Sequence, residues 1–325
     1  MFTTILSSLL LISSINPLTS PSCFPPIGKP ISKLPETISI GSQESIETLY
    51  STISKQARFP VNRLRITKGS DGSLLKNDAG ITVSSTGVRN QSVIYVKDLG
   101  PQIGWRTVFI IEYLGPLLIH PLVLYVLRPY LYGGSKPLPP PSDLQALTCA
   151  LLTLHFIKRE LETIFVHRFS VSTMPFTYVF RNSAHYWLLG GVNLAYWVFS
   201  PSSPTATSNP NPALLYPGLA LFVVGQLSNL SVHITLRNLR KPGSTERVIP
   251  TGFGFDWVTC PNYLFEVMAW VGVYLVSGLN WSVLLFLAVG AGTMMKWASQ
   301  KEQRYRREFG DKYKRKRFVM FPGLW

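Results

Sequence analysis

Apolar residues are unevenly distributed along this chain. After Gly104 they come in long runs, near 107–127, 144–157, 184–200, 213–232, 263–279 and 281–298, several of them close to the lower length limit for crossing a bilayer. Pro-rich connectors at 133–142 and 201–212 separate some of the runs. The pattern predicts a multi-span α-helical membrane domain with about six transmembrane helices, within a range of five to seven. Residues 28–98 follow a different rhythm. Ile46, Leu49, Tyr50 and Ile53 recur at helical spacing behind Ser45, which can cap. Leu64-Arg65-Ile66-Thr67 and Val93-Ile94-Tyr95-Val96 read as strands, with turn signals at Gly69–Gly72 and Asp78–Gly80.

The order of those elements resembles a ubiquitin-like β-grasp. The strand expected first is missing, because Pro21-Ser22-Cys23-Phe24-Pro25-Pro26 is no strand. Such a module either docks a partner or packs as a cap on the membrane part. Met1–Ser20 contains a short apolar core, Ile5–Ile12, with no Lys or Arg before it. That is too short for a span and lacks the basic flank of a signal peptide. It reads as a weak anchor, a disordered lead or an imperfect gene-model start. The expected organisation is an N-terminal extension (1–27), the α/β module (28–98) and a membrane-embedded domain with a basic tail (99–325).

Composition agrees with the membrane reading. Of 325 residues 46% are hydrophobic and only 14% charged, well below the roughly 25% of soluble domains. The net charge of +15 is concentrated near the end, with ten Lys/Arg between Lys296 and Arg317 against Glu302, Glu308 and Asp311. Because this tail follows an apolar helix, it reads as a cytosolic positive-inside segment beside anionic lipid and not as a nucleic-acid site. Cys23, Cys149 and Cys260 have no metal or disulfide spacing, and Cys149 sits inside an apolar run as a packing residue.

Candidate chemistry gathers between residues 229 and 266. Asn229, His233, Arg237 and Arg240 follow an apolar run at spacings of four, four and three, so one helix face carries all of them. Lys241-Pro242-Gly243 then stops the helix. Polar groups at membrane depth are costly, so an aligned set of them is a candidate site. Arg237, Arg240, Lys241 and Arg247 suit a phosphate-bearing cofactor or a CoA head group; ordinary flanking charge does not account for the deeper Asn229 and His233. Tyr263 opens the next apolar helix beside Asn262. Alone it reads as an interfacial-belt tyrosine; with Glu266 one turn in, it reads as a donor to an oxyanion or enolate. Glu266 needs a partner such as Arg237, Arg240 or a ribose hydroxyl.

Gln102 lies just before the first span and reads as either a linker residue or a polarising amide. His155, Lys158, Arg159, Glu160, Glu162 and His167 form a charged patch, read as surface salt bridging with a phosphate contact from Lys158 or Arg168 open. His155 and His167 stand twelve apart, too far for one metal ion on a straight helix, so no metal is expected. Gly252-Phe253-Gly254 lacks the third glycine of a dinucleotide fingerprint, and no Walker loop or GxSxG is present.

These residues carry a family resemblance. Asn229–Glu266 with Leu236–Gly243 at its centre, the basic Arg304-Tyr305 and Cys260-Pro261-Asn262-Tyr263 resemble the steroid 5α-reductase superfamily of membrane reductases. Lys97–Gln102 leading into a span, the block His155–Ser170 and Thr173-Met174-Pro175 are similar to its branch that reduces very-long-chain trans-2-enoyl-CoA thioesters. The resemblance implies an endoplasmic-reticulum membrane enzyme with its active site facing the cytosol and NADPH as hydride donor. It implies nucleotide contacts from Asn229, His233, Arg237, Arg240, Asn262, Glu266 and Arg304, with Lys158 and Tyr305 added as candidates, and catalytic roles for Tyr263 and Gln102. Implied partners are the very-long-chain 2-enoyl-CoA substrate, membrane lipids and other fatty-acid elongation enzymes. Steroid reductases have an acid where Gln102 stands and a tyrosine where Phe156 stands, which argues against a ketosteroid substrate. Two other readings stay open: a sterol or steroid double-bond reductase of the same fold, and a membrane-anchored ubiquitin-like scaffold without activity.

Overall fold

The computed structural model describes residues 7–12 as backbone, and residues 31, 33–134, 137–169, 173–239, 248–313 and 318–324. The chain divides into two compact units, Met1–Ile103 with Thr173–Phe176, and Gly104–Ser172 with Thr177–Trp325.

The first unit is a four-stranded sheet with one helix: β1 (Ser7–Ile12), β2 (Thr37–Ile38), α1 (Ile46–Ala57), β3 (Leu64–Lys68) and β4 (Val93–Asp98). The sheet order is β2-β1-β4-β3, with β4 antiparallel to both neighbours and β1 parallel to β2. The sequence pattern is realised in α1, whose Ile46, Leu49, Tyr50 and Ile53 are buried against Ile66, Ile94 and Val96. Ser45 caps it by accepting from the Thr48 N–H at 3.1 Å. Arg58, in the left-handed region at φ 51°, ends it. The Tyr50 hydroxyl donates to the Leu75 carbonyl at 2.8 Å and accepts from the Ile66 N–H at 3.1 Å, tying helix to sheet. Ser7–Ile12, part of the apolar core weighed above as an anchor or lead, is a strand of this sheet. β5 (Gln102–Gly104) pairs with β6 (Thr173–Pro175) in a separate two-stranded sheet.

The second unit is helical. Its long elements are α2 (Trp105–Tyr132), α3 (Asp143–Leu161), α4 (from Tyr178–Ser183 through to Leu194–Val198), α5 (Pro212–Asn238), α6 (Pro261–Val276) and α7 (Trp281–Phe309). Among the described residues, three helices, Trp105–Tyr132, Pro212–Asn238 and Trp281–Lys312, are long and apolar enough to cross a membrane. Helix starts follow capping rules. Ser142 and Gln145 form a reciprocal capping box on α3, and Asn211 and Asn280 accept from N–H groups of α5 and α7.

Small residues set the closest helix pair. At Gly225 of α5 an added Cβ would come within 2.6 Å of the Ala269 backbone nitrogen of α6, and at Gly272 within 2.6 Å of the Gly218 carbonyl. Helices in a bilayer gain association energy from such backbone proximity, because lipid offers no hydrophobic contrast. The contact brings the polar stripe of α5 against the start of α6. Residues Glu162–Val166 continue α3 in wider turns, and the His167 N–H reaches back five residues to the Glu162 carbonyl at 2.8 Å.

Candidate functional site

The site is built around Glu162, only 1% exposed. Its carboxylate takes the Lys158 ammonium at 2.9 Å, the Arg159 guanidinium at 2.8 Å and His233 Nδ1 at 3.1 Å. Two positions of α3 and one of α5 therefore converge on a single acid. Arg159 also donates to the Tyr113 hydroxyl of α2 at 2.8 Å. The His155–Glu162 patch is thus an interior network and not the surface one expected. The signal was in the sequence: His155, Lys158, Arg159 and Glu162 stand at i, i+3, i+4 and i+7, one face of a helix. Burial of a charge demands a partner, and each of these charges has one.

Two further links join this group to α6. Lys158 donates to Asn229 Oδ1 at 2.6 Å, and Asn229 Nδ2 donates to the Asn262 carbonyl at 2.8 Å. Asn229 is 2% exposed, which places it where its helix-face spacing predicts. Glu266 faces His155 Nε2 at 3.4 Å. The sequence leaves Arg237, Arg240 or a ribose hydroxyl open as its partner; among the described residues, which leave out Arg240, its ion-pair partner comes from α3. His155 Nδ1 meets Gln226 Nε2 at 2.8 Å.

Glu162, His167 and His233 offer ligand atoms within 4.8 Å of one another. The expectation of no metal was argued from His155 and His167; the structure instead brings His167 to His233, their rings 4.8 Å apart and edge-to-face. Lys158 and Arg159 already hold both oxygens of the Glu162 carboxylate, and a divalent ion would have to displace or repel two cations.

Tyr263 sits in the first turn of α6, after Pro261 at the helix start. It packs with Cys260, Met294, Met295 and Ala298, and its ring lies 6.4 Å from that of Trp297. The loop before it is pinned to α7: Thr259 Oγ1 donates to Glu302 Oε2 at 2.6 Å, and the Tyr313 hydroxyl donates to the same oxygen at 2.6 Å. Arg306 Nε completes the set by donating to Glu302 Oε1 at 2.8 Å. Sequence reasoning missed Glu302 and Thr259, whose partners lie 43 residues apart in the chain.

The other candidate residues are more scattered. Arg237, half-buried in the last turn of α5, offers its carbonyl to Arg168 Nη1 at 3.2 Å. Arg240 lies outside the described residues, as does the Lys241-Pro242-Gly243 stop. Arg304 is exposed on α7, and neighbouring Tyr305 is buried against Phe309 and Tyr313. Gln102 belongs to the first unit, where its amide donates to the Leu99 carbonyl at 3.0 Å and the Gly100 carbonyl at 3.3 Å. The structure therefore brings Lys158, Asn229, His233, Asn262 and Glu266 together.

A helical membrane protein with a charged interior network at the α3–α5–α6 junction is the class these features define. Residues 172–325 match the model of the 3-oxo-5-alpha-steroid 4-dehydrogenase family. A Schizosaccharomyces pombe protein carrying an enoyl reductase name is 44% identical, over 91% of this chain and 96% of its own length. The very-long-chain enoyl-CoA reductase of Dictyostelium discoideum is 39% identical, over 89% of this chain and 94% of its own. The trans-2,3-enoyl-CoA reductase-like protein of Homo sapiens is 29% identical, over 74% of this chain and 67% of its own. The chain belongs to the very-long-chain enoyl-CoA reductase family, within the steroid 5α-reductase superfamily.

Proposed function

We propose that this protein reduces the trans-2 double bond of very-long-chain enoyl-CoA to the saturated acyl-CoA, with NADPH as donor, as the last step of fatty-acid elongation in the endoplasmic reticulum. The observation that carries this reading is the joining of Lys158, Asn229, His233 and Asn262 into one buried chain of contacts immediately before Tyr263. Asn262 Oδ1 is buried and has no hydrogen-bond partner among the described residues. It fits a ligand that donates, as a nicotinamide carboxamide does. The residues that would hold the nucleotide are Asn229, His233, Asn262, Glu266, Lys158, Arg304 and Tyr305, with its phosphates at the Arg237/Arg240 edge. When bound, NADPH supplies the hydride for Cβ of the thioester.

The remaining chemistry belongs to the chain. Negative charge develops on the thioester oxygen as Cβ is reduced. Tyr263 donates its hydroxyl proton or a hydrogen bond there, and Gln102 holds the carbonyl. The helix start of α6 adds a positive dipole end beneath the phenol. Apolar helices leave the acyl chain a lateral path into lipid. In this reading all six long helices belong to the membrane domain, the site faces the cytosol, and the first unit is a ubiquitin-like module. Enoyl-CoA substrate, membrane lipids and other elongation enzymes are its partners.

The test is NADPH oxidation by the purified full-length protein with a long-chain trans-2-enoyl-CoA and, separately, with a 3-oxo-4-ene steroid. Turnover of the thioester alone is expected. Turnover of the steroid alone would transfer the assignment to a steroid reductase, and oxidation with neither would overturn it.

A further inference from the structure

The α7 face opposite Tyr263 carries a cation with no counter-charge. Met294, Trp297, Ala298 and Lys301 stand at i, i+3, i+4 and i+7, a single helix face. Trp297 meets the Tyr263 ring, and Met294 and Ala298 share the Tyr263 cluster, so Lys301 points to the same side. It is half-buried, with its ammonium 5.6 Å from the centre of the Tyr305 ring. Among the described residues it forms no ion pair with a carboxylate. Its neighbour Glu302 is already held by Thr259, Tyr313 and Arg306. Cys260, Tyr305 and Tyr263 interact electrostatically with Lys301, and Tyr305 also shares a hydrogen bond with it.

An unpaired ammonium in a half-buried helix position is costly unless a group nearby gains from it. Tyr305 offers the face of its ring, a cation–π contact. Tyr263 offers an oxygen that becomes negative during turnover. The other ionisable groups near Tyr263 are Arg159 of α3, Tyr113 of α2 and Cys260 of its own helix start. Arg159 is committed to Glu162 and to the Tyr113 hydroxyl, and Cys260 is a buried thiol. Lys301 is therefore the one facing cation, among the described residues, without a carboxylate of its own.

We infer that Lys301 is a positioning residue for catalysis: its ammonium holds and neutralises the Tyr263 oxygen as that oxygen gives its proton to the substrate. The inference rests on the function proposed above. Electrons and atoms balance within it. The hydride completes Cβ, the π electrons of the double bond move toward the carbonyl to give an enolate, and the Tyr263 O–H bond breaks as the enolate's Cα takes that proton to form the new C–H bond. The phenol oxygen keeps the bonding pair as phenolate beside Lys301, until water returns a proton. Ion pairing in a low-dielectric site makes such a charge worth far more than in water.

Three proteins separate charge from shape: wild type, Lys301→Met, which keeps the stem and loses the charge, and Lys301→Arg, which keeps the charge. Each full-length protein is measured for NADPH binding by tryptophan quenching and for steady-state reduction of a long-chain trans-2-enoyl-CoA. In Lys301→Met, kcat is expected to fall on the order of 10-fold or more, less than the loss of a direct donor, while the KM for NADPH stays near wild type. Lys301→Arg should restore most of the loss. Wild-type kcat in Lys301→Met, or equal impairment of Met and Arg variants, would overturn the role. If Lys301→Met fails to bind NADPH, Lys301→Gln is judged by the same two criteria. A wild-type protein inactive on the thioester would overturn the function itself, whereas an active wild type with an unimpaired Lys301→Met overturns only the lysine's part.

Discussion

The two units stabilise their polar groups in opposite ways. In the first unit the ion pair between Arg63, in the turn just before β3, and Asp98, at the end of β4, lies near the surface, bidentate at 3.0 and 2.6 Å. Water can replace either partner. In the second unit Glu162 gathers Lys158, Arg159 and His233 in a dry interior, where nothing replaces a lost partner. The same chemistry is marginal in one place and structural in the other, and burial accounts for the difference.

The largest expected effect comes from breaking the buried hub. Glu162→Gln leaves Lys158 and Arg159 uncompensated and should cost about 3–5 kcal/mol, read as a large fall in melting temperature of the detergent-solubilised protein. An unchanged melting temperature would show that the hub is hydrated. Tyr263→Phe comes next. It should lower turnover by on the order of 10² to 10³ with the melting temperature intact, and near-normal reduction would remove Tyr263 from the mechanism. Gly225→Val places a side chain where a Cβ already lies 2.6 Å from the Ala269 nitrogen. Overpacking there should cost about 1–3 kcal/mol and weaken NADPH binding, since α5 and α6 carry Asn229 and Asn262.

The smallest effect is at the surface pair. Burial alone would raise the Asp98 carboxyl, but the Arg63 guanidinium and the Gly100 N–H outweigh it, so Asp98 is held below the ordinary carboxylate value. A carboxyl depressed by folding contributes stability above its unfolded value of about 3.9 and loses it as pH falls through the folded value. Asp98→Asn should therefore cost about 0.5–1 kcal/mol near neutrality and remove that acid dependence. Hydrogen exchange of β3 and β4 at pH 7 and below pH 4 measures both. A larger loss than at Glu162 would invert the comparison between the units.

The legible parts of the sequence were those with a local period. α1, β3 and β4 fall where alternation and helical spacing place them, since one face of each is buried. The apolar runs near 107–127, 213–232 and 281–298 lie within the three helices long enough to span. The shared face of Asn229 and His233 was equally readable, being a property of a single helix. The strand Ser7–Ile12 was not, because six residues carry no pattern of their own and are fixed by pairing with Val93–Lys97.

Partnerships across elements were beyond the sequence. Glu266 finds His155 from more than a hundred residues earlier in the chain. The His155–Glu162 block looked like a solvated face, because charge spacing alone does not say whether a helix face meets water or another helix. What decides it is the approach of α5 to α6 at Gly218, Gly225 and Gly272, which closes the interior around those charges. The sequence by itself determined which residues share a helix face and which segments are apolar enough to leave water. Only the tertiary structure decided which charges meet, because desolvation, and with it the need for a partner, is set by neighbours distant in the chain.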